Sequence, residues 1–217
     1  MAKLDCKYIF FDLDGTLTQS DPGITRSVQY AMDKHNIKTE VEDLKIFVGP
    51  PLREMFMKIF GVSLEEAEKM VVTYRERYTT VGKYECSVYD GVKEMLSELK
   101  SMGKVLCVAT SKPENSANEV LEHFGLREYF DVIGGDTPLH ERKNKAAVVT
   151  HVLGEMGVND MDDVIMVGDT EYDVLGSAEC GIKCIGVLYG YGSKESLVKA
   201  GAAELAEKPL DIVELFK

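Results

Sequence analysis

From about residue 87 onward the chain alternates short, continuous apolar runs with stretches in which apolar residues recur every three or four positions. Residues 104–110 (KVLCVAT), 130–134 (FDVIG), 164–168 (VIMVG) and 183–188 (KCIGVL) are rich in β-branched residues, and each reads as a strand buried on both faces. Between them, Val92, Met95, Leu96 and Leu99 share one helical face, with Gly103 placed to close that helix in the left-handed conformation. Residues 144–156 repeat the pattern and stop at Gly157, and Gly125 and Gly181 end two further helices. Strands alternating with helices are joined by right-handed crossovers, which predicts an α/β fold with a Rossmann-like parallel sheet flanked by helices. Residues 7–11 (KYIFF) supply one more buried strand at the start of the chain.

The stretch from 18 to 86 has a different pattern. Residues 24–37, 52–60 and 63–78 read as helices, the last opened by a capping box of Ser63 and Glu66, and no convincing strand lies among them. An all-helical insertion directly after the first strand is expected above the carboxyl ends of the sheet, where open α/β sheets bind ligands. The predicted organisation is therefore an α/β core of residues 1–17 and 87–217 with a small helical domain of residues 18–86.

Composition narrows the class of partner. Of 217 residues, 45% are hydrophobic, enough for a real core, and 25 basic residues against 37 acidic ones give a net charge of −12. Such a surface repels nucleic acid and anionic membranes, although a local cationic pocket or a bound metal still attracts a small anion. Five scattered cysteines and four histidines show no zinc-like spacing, so reduced thiols are expected. The first residues lack the apolar stretch of a secretory signal and no run is long enough to span a membrane, so a cytoplasmic location is expected.

The chemistry gathers at strand ends. The 7–11 strand runs into Asp12 and Asp14, followed by Gly15 and Thr16. Two carboxylates this close resist each other unless a cation or proton is shared, and Gly15 lets backbone amides approach an anion closely. Asp169 and Asp173 form a second acidic cluster where the 164–168 strand ends, although Asp173 also suits a helix N-terminus. Asp12 and Asp169 stand more than 150 residues apart, yet both finish strands of one parallel sheet. Carboxylates without histidine or thiol beside them suit a hard cation, Mg2+. Thr110 and Ser111, where the 104–110 strand ends, offer a hydroxyl and turn amides to a phosphate oxygen, or cap a helix. Lys143 and Lys145 open the next helix against its dipole, and one of them is expected to compensate the acids and clamp phosphate.

Taken in order, these four features resemble the motifs of the haloacid dehalogenase superfamily of phosphohydrolases, over essentially the whole chain. Asp12 to Thr16 matches the nucleophile motif, Thr110 the Ser/Thr motif, and Asp169 with Asp173 the final acidic motif. Lys145, which leads an apolar helix, matches the lysine motif better than Lys143 does. Residues 18–86 look like the family's small helical cap, and FVGPPLR (47–53) and GVLYGYG (186–192) are similar to phosphoglycolate-phosphatase-like and 5′-nucleotidase-like members.

The resemblance implies a Mg2+-dependent phosphatase that hydrolyses a small phosphomonoester, phosphoglycolate- or nucleoside-monophosphate-like, through an aspartyl-phosphate on Asp12. It implies Asp14 as general acid and base, and Mg2+ on Asp12, Asp169 and the Asp14 backbone carbonyl. Thr110, Ser111 and Lys145 are then the phosphate ligands, and Asp173 positions Lys145 or metal-bound water. The presence of Asp14 weighs against dehalogenase chemistry, whereas a sugar phosphomutase shares the same core motifs. A catalytically silent phospholigand-binding protein is the alternative from another class. Arg53, after Gly49-Pro50-Pro51, is a candidate substrate contact at a helix start. Tyr189 and Tyr191, in a glycine-rich loop, either flank the site or pack, the second being the preferred reading, and His35, His123, His140 and His151 receive no role. The identity of the substrate and the oligomeric state are left open.

Overall fold

The computed structural model describes residues 3–38, 41–137 and 141–217, with residues 41–43 described by backbone only; His140 lies outside the described residues. They divide into two compact units, one formed by the chain up to Thr18 together with Val88–Lys217, the other by Gln19–Ser87. In chain order, β1 (Tyr8–Phe11) and β2 (Thr18–Gln19) lead into α1 (Asp21–Lys34), α2 (Leu52–Phe60) and α3 (Leu64–Tyr78), and β3 (Ser87–Val88) leads back. There follow α4 (Val92–Ser101), β4 (Val105–Pro113), α5 (Glu114–His123), β5 (Val132–Asp136), α6 (Lys145–Met156) and β6 (Val164–Gly168). The chain ends with α7 (Glu171–Glu179), β7 (Lys183–Val187), α8 (Lys194–Ala200), β8 (Glu204–Ala206) and α9 (Pro209–Glu214).

In the first unit, the described strands form a six-stranded parallel sheet in the order β5-β4-β1-β6-β7-β8. Ile9, Phe10 and Phe11 of β1 are fully buried, as a central strand covered on both faces requires. The chain builds outward from β1 through β4 to β5, then returns to β6 on the other side of β1. A reversal of this kind opens a crevice at the carboxyl ends of the strands. Phe11 stands opposite both Val108 and Val167, so the residues that follow emerge side by side, and the Asp12 amide donates to the Val167 carbonyl at 2.9 Å.

One face of the sheet is sealed by Phe10, Cys107 and Met166 against Val148, Val149 and Val152 of α6 and Val174 of α7. Each fully buried side chain of this size is worth about 1.5–3 kcal/mol, and together they fix α6 and α7, whose first turns carry Lys145 and Asp173. Asn144 caps α6 by accepting from the Ala147 amide at 2.9 Å, and Gly157 closes it with φ +62°.

Several boundaries differ from expectation. β4 continues past Thr110 to Pro113, with a register shift against β5 between Ala109 and Pro113. Thr110 and Ser111 thus lie on extended chain rather than in a turn, because pairing of Pro113 with Asp136 prolongs the strand. β5 starts at Val132 because a 3-10 turn, Arg127–Tyr129, precedes it. α1 starts at Asp21, with Pro22 in its first turn, where the missing N–H costs nothing. The short elements β8, α8 and α9 carry too little pattern to have been foreseen.

The unit Gln19–Ser87 is built on α1, α2 and α3, with a 3-10 stretch at Val41–Phe47 that the sequence pattern does not announce. α3 packs against both α1 and α2. Phe47 lies 5.3 Å from Phe56 and 5.7 Å from Phe60, centroid to centroid, and Val28, Met32 and Met70 are buried beside α1 and α3. The predicted capping box is present: the Ser63 amide donates to Glu66 Oε2 at 3.0 Å, and the Glu66 amide to Ser63 Oγ at 3.3 Å. Arg77 grips Glu85 with two hydrogen bonds of 2.6 and 3.0 Å.

Candidate active site

β1 delivers Asp12 to the crevice, β6 delivers Asp169, and the first turns of α6 and α7 deliver Lys145 and Asp173. Lys145 Nζ stands 2.9 Å from Asp12 Oδ1 and 2.7 Å from Asp173 Oδ1, and it donates to the Ala109 carbonyl at 3.1 Å. Its side chain is 5% exposed and that of Asp173 is 0% exposed. A lysine so deeply buried needs charge partners, and these two carboxylates supply them. Lys143 is exposed. The two lysines left open by the sequence are thereby separated: Lys145 faces the acids.

Asp173 does two things. Its Oδ1 meets Lys145, while its Oδ2 accepts from the Thr170 amide at 3.0 Å and the Thr170 hydroxyl at 2.9 Å. One side chain thus both caps the start of α7 and pairs with Lys145.

Oxygen atoms of Asp12, Asp169 and Asp173 all lie within 4.8 Å of one another. Three ionised carboxylates against one ammonium leave two negative charges, the charge that one divalent cation cancels, and an all-oxygen donor set suits a hard ion. The residues therefore fit Mg2+. The energetics agree with that need. Burial pushes Asp12 up to about 6, with the charge of Asp173 adding to it against the pull of Lys145. Burial likewise holds Asp169 well above the ordinary carboxylate range, reinforced by the charges of Asp173 and Asp12. Burial pulls the Lys145 ammonium down, but Asp12 and Asp173 outweigh it and hold it above the usual lysine range.

Asp169 is held from two loops. Its Oδ1 accepts from Thr16 Oγ1 at 3.4 Å, and its Oδ2 accepts from the Tyr191 amide at 2.8 Å. Gly15, at φ +87°, has a backbone few other residues adopt, and a side chain there would strike the Asp169 carboxylate. A side chain at Gly192 would strike the Asp169 backbone carbonyl. The Tyr189 hydroxyl donates to the Thr16 carbonyl at 3.1 Å, and its ring meets Tyr89 edge-on at 5.0 Å. Beyond the expected packing of Tyr189, the loop after β7 braces Asp169 and the turn that follows Asp14. The Tyr-Gly-Tyr-Gly run at residues 189–192 was the available signal, but only the return of β7 beside β6 gives it a target.

Asp14 stands apart from the three clustered carboxylates. Both of its side-chain oxygens are held by Lys112 Nζ, at 2.9 and 2.6 Å. Lys112 was not singled out from the sequence, although it follows Thr110 at the two-residue spacing that puts side chains on one face of a strand. Thr110 is buried and its Oγ1 accepts from the Lys112 amide at 3.2 Å, whereas Ser111 is exposed. Arg53 belongs to the other unit, in the first turn of α2, where its Nε lies 3.8 Å from Glu68 Oε1.

Comparison with known proteins points the same way. Residues 9–187 match the family model described as haloacid dehalogenase-like hydrolase. A 5′-nucleotidase of Pseudomonas aeruginosa is 41% identical over 90% of this chain and 89% of its own. Tyrosine-protein kinase PtkA of Mycobacterium tuberculosis is 37% identical over 88% of this chain, which spans 65% of that protein's length. Among solved structures, a haloacid dehalogenase-like family hydrolase from Streptococcus pneumoniae superposes with a TM-score of 0.92 at 30% identity, covering 98% of this chain and 99% of that one.

Proposed function

The chain belongs to the haloacid dehalogenase-like hydrolases and is a phosphoric monoester hydrolase, and we propose that it cleaves a small phosphomonoester with Mg2+, through an aspartyl-phosphate on Asp12. The observation that carries this reading is Lys145 held between Asp12 and Asp173, with Asp169 in the same 4.8 Å cluster, at the reversal point of the sheet.

In this reading an Asp12 oxygen attacks phosphorus in line, its bond forming as the ester P–O bond breaks, and Asp14 gives the departing alkoxide its proton. Asp14 then takes a proton from the water that attacks the aspartyl-phosphate, which frees Asp12 and inorganic phosphate. Lys145 and Thr110 hold the equatorial phosphoryl oxygens where charge is spread, with Ser111 adjoining them. Asp173 keeps Lys145 aimed, and Gly15 permits the turn that follows Asp14. Asp12, Asp169 and the Asp14 backbone carbonyl would hold Mg2+, which supplies the positive charge that lets an anionic nucleophile meet an anionic phosphate. The helical unit Gln19–Ser87 is the proposed cap, and the choice of substrate rests with it. Phosphoglycolate or a nucleoside monophosphate is the proposed substrate class.

The test is phosphate release from a panel of phosphorylated metabolites, with Mg2+ and with a chelator. Asp12→Asn is expected to abolish turnover while keeping the native circular dichroism; Mg2+-dependent hydrolysis surviving in that variant would refute the nucleophile assignment. Product analysis separates hydrolysis from phosphoryl transfer to a second hydroxyl, as in a phosphomutase, which releases no inorganic phosphate. A silent phospholigand-binding protein would release none from p-nitrophenyl phosphate either.

A further inference from the structure

A second buried lysine sits at the site and the roles assigned so far leave it unused. Lys112 has a side chain only 3% exposed, and its Nζ reaches both oxygens of Asp14, whose own side chain is 18% exposed. Burying an ammonium is costly unless it is paired in good geometry, so this residue type, retained inside the strand end, calls for a reason. Two contacts of 2.6 and 2.9 Å from one nitrogen fix the carboxylate in direction as well as distance. Lys112 is itself fixed at its backbone: its amide donates to Thr110 Oγ1 at 3.2 Å, and it lies in the stretch of β4 that shifts register against β5. Asp14, by contrast, sits on the turn after β1, where the Gly15 amide donates to the Thr18 carbonyl at 2.7 Å. A turn residue positioned by a lysine on a neighbouring strand is a carboxylate held for a task.

We propose that Lys112 is a positioning residue that aims the Asp14 carboxylate at the leaving-group oxygen. The proposal rests on the reading of Asp14 as general acid, and a leaving-group comparison separates the two. An alkyl phosphate expels an alkoxide that needs a proton as it departs, whereas p-nitrophenyl phosphate expels a phenolate that does not. Loss of the aimed acid therefore weakens catalysis selectively.

The experiment measures kcat and KM for both esters, with saturating Mg2+, in the wild type, Lys112→Met, Asp14→Asn and the double variant. In Lys112→Met, kcat/KM for the alkyl ester is expected to fall about 100-fold, the scale of lost general acid catalysis. For the aryl ester kcat/KM, which reports only the steps up to the aspartyl-phosphate, is expected to change by only a few-fold, while kcat falls for both esters because the same Asp14 serves the hydrolytic water. Lys112→Arg is expected to recover part of the alkyl activity. The double variant should match Asp14→Asn, because a residue acting through Asp14 has nothing left to position. Equal losses of kcat/KM on both esters, with a raised KM, would mean that Lys112 grips the phosphate directly, and would overturn the proposal. So would a double variant clearly worse than Asp14→Asn, a comparison that remains available if Lys112→Met does not fold. If Asp14→Asn lowers kcat/KM equally for both esters, the general-acid reading itself falls, and that result appears with Lys112 intact.

Discussion

Asp12, Asp169, Asp173 and Lys145 form one electrostatic unit whose parts make little sense singly. Asp12 and Asp169 are buried where their charge is disfavoured, and Lys145 offsets only part of the repulsion among the acids. The pH dependence follows in sign. A carboxyl whose native value is raised binds its proton more tightly in the folded chain than in the unfolded one. Its stabilising contribution is full below the ordinary aspartate value, about 4, and is lost as pH rises through about 6, the value of Asp12. Lys145 is held above the usual lysine range and stays charged across this window. The contribution of these carboxyls to the metal-free protein is therefore larger at pH 5 than at pH 8. Because a cation competes with those protons, Mg2+ is expected to raise the melting temperature more at pH 8 than at pH 5. Calorimetry with and without Mg2+ checks this, and an increment independent of pH would sink the assignment of the cluster as a cation site.

The elements place these residues through backbone contact as much as through side chains. The loop after β7 illustrates this, since the Tyr191 amide reaches the Asp169 carboxylate and Gly192 leaves no room for a Cβ beside the Asp169 carbonyl. Gly192→Ala is expected to push that loop off Asp169, weakening Mg2+ activation at least several-fold and lowering kcat. An unchanged Mg2+ titration of activity would show that the loop does not support Asp169. The same contact explains a gap in what the sequence could show. Tyr191 acts through its amide, which every residue but proline carries, so residue identity gave no signal. Lys112 was missed for a related reason: its spacing from Thr110 mattered only once β4 was seen to run on to Pro113.

Across the whole molecule, a strand-and-helix unit carries the acids, and a separate helical unit, Gln19–Ser87, carries Arg53. Under the proposed division of labour, Arg53→Ala is expected to raise KM for the native metabolite about tenfold, with little change for p-nitrophenyl phosphate. Steady-state kinetics on both substrates decide it, and an equal effect on the two would remove Arg53 from substrate recognition. Among the described residues no helix is long and apolar enough to cross a membrane. The sequence alone determined the sheet-and-helix alternation, the helical capping box at Ser63, and the aspartates and lysine that finish strands or open helices. These are local properties, set by side-chain period, caps and the exit of polar residues from apolar runs. Tertiary structure alone decided that Lys145 rather than Lys143 meets Asp12, that Asp173 serves both helix and lysine, and that Lys112 grips Asp14. Those choices depend on register and packing between segments up to about 160 residues apart, from Asp12 to Asp173, and the order in which strands assemble is written in no single stretch of the chain.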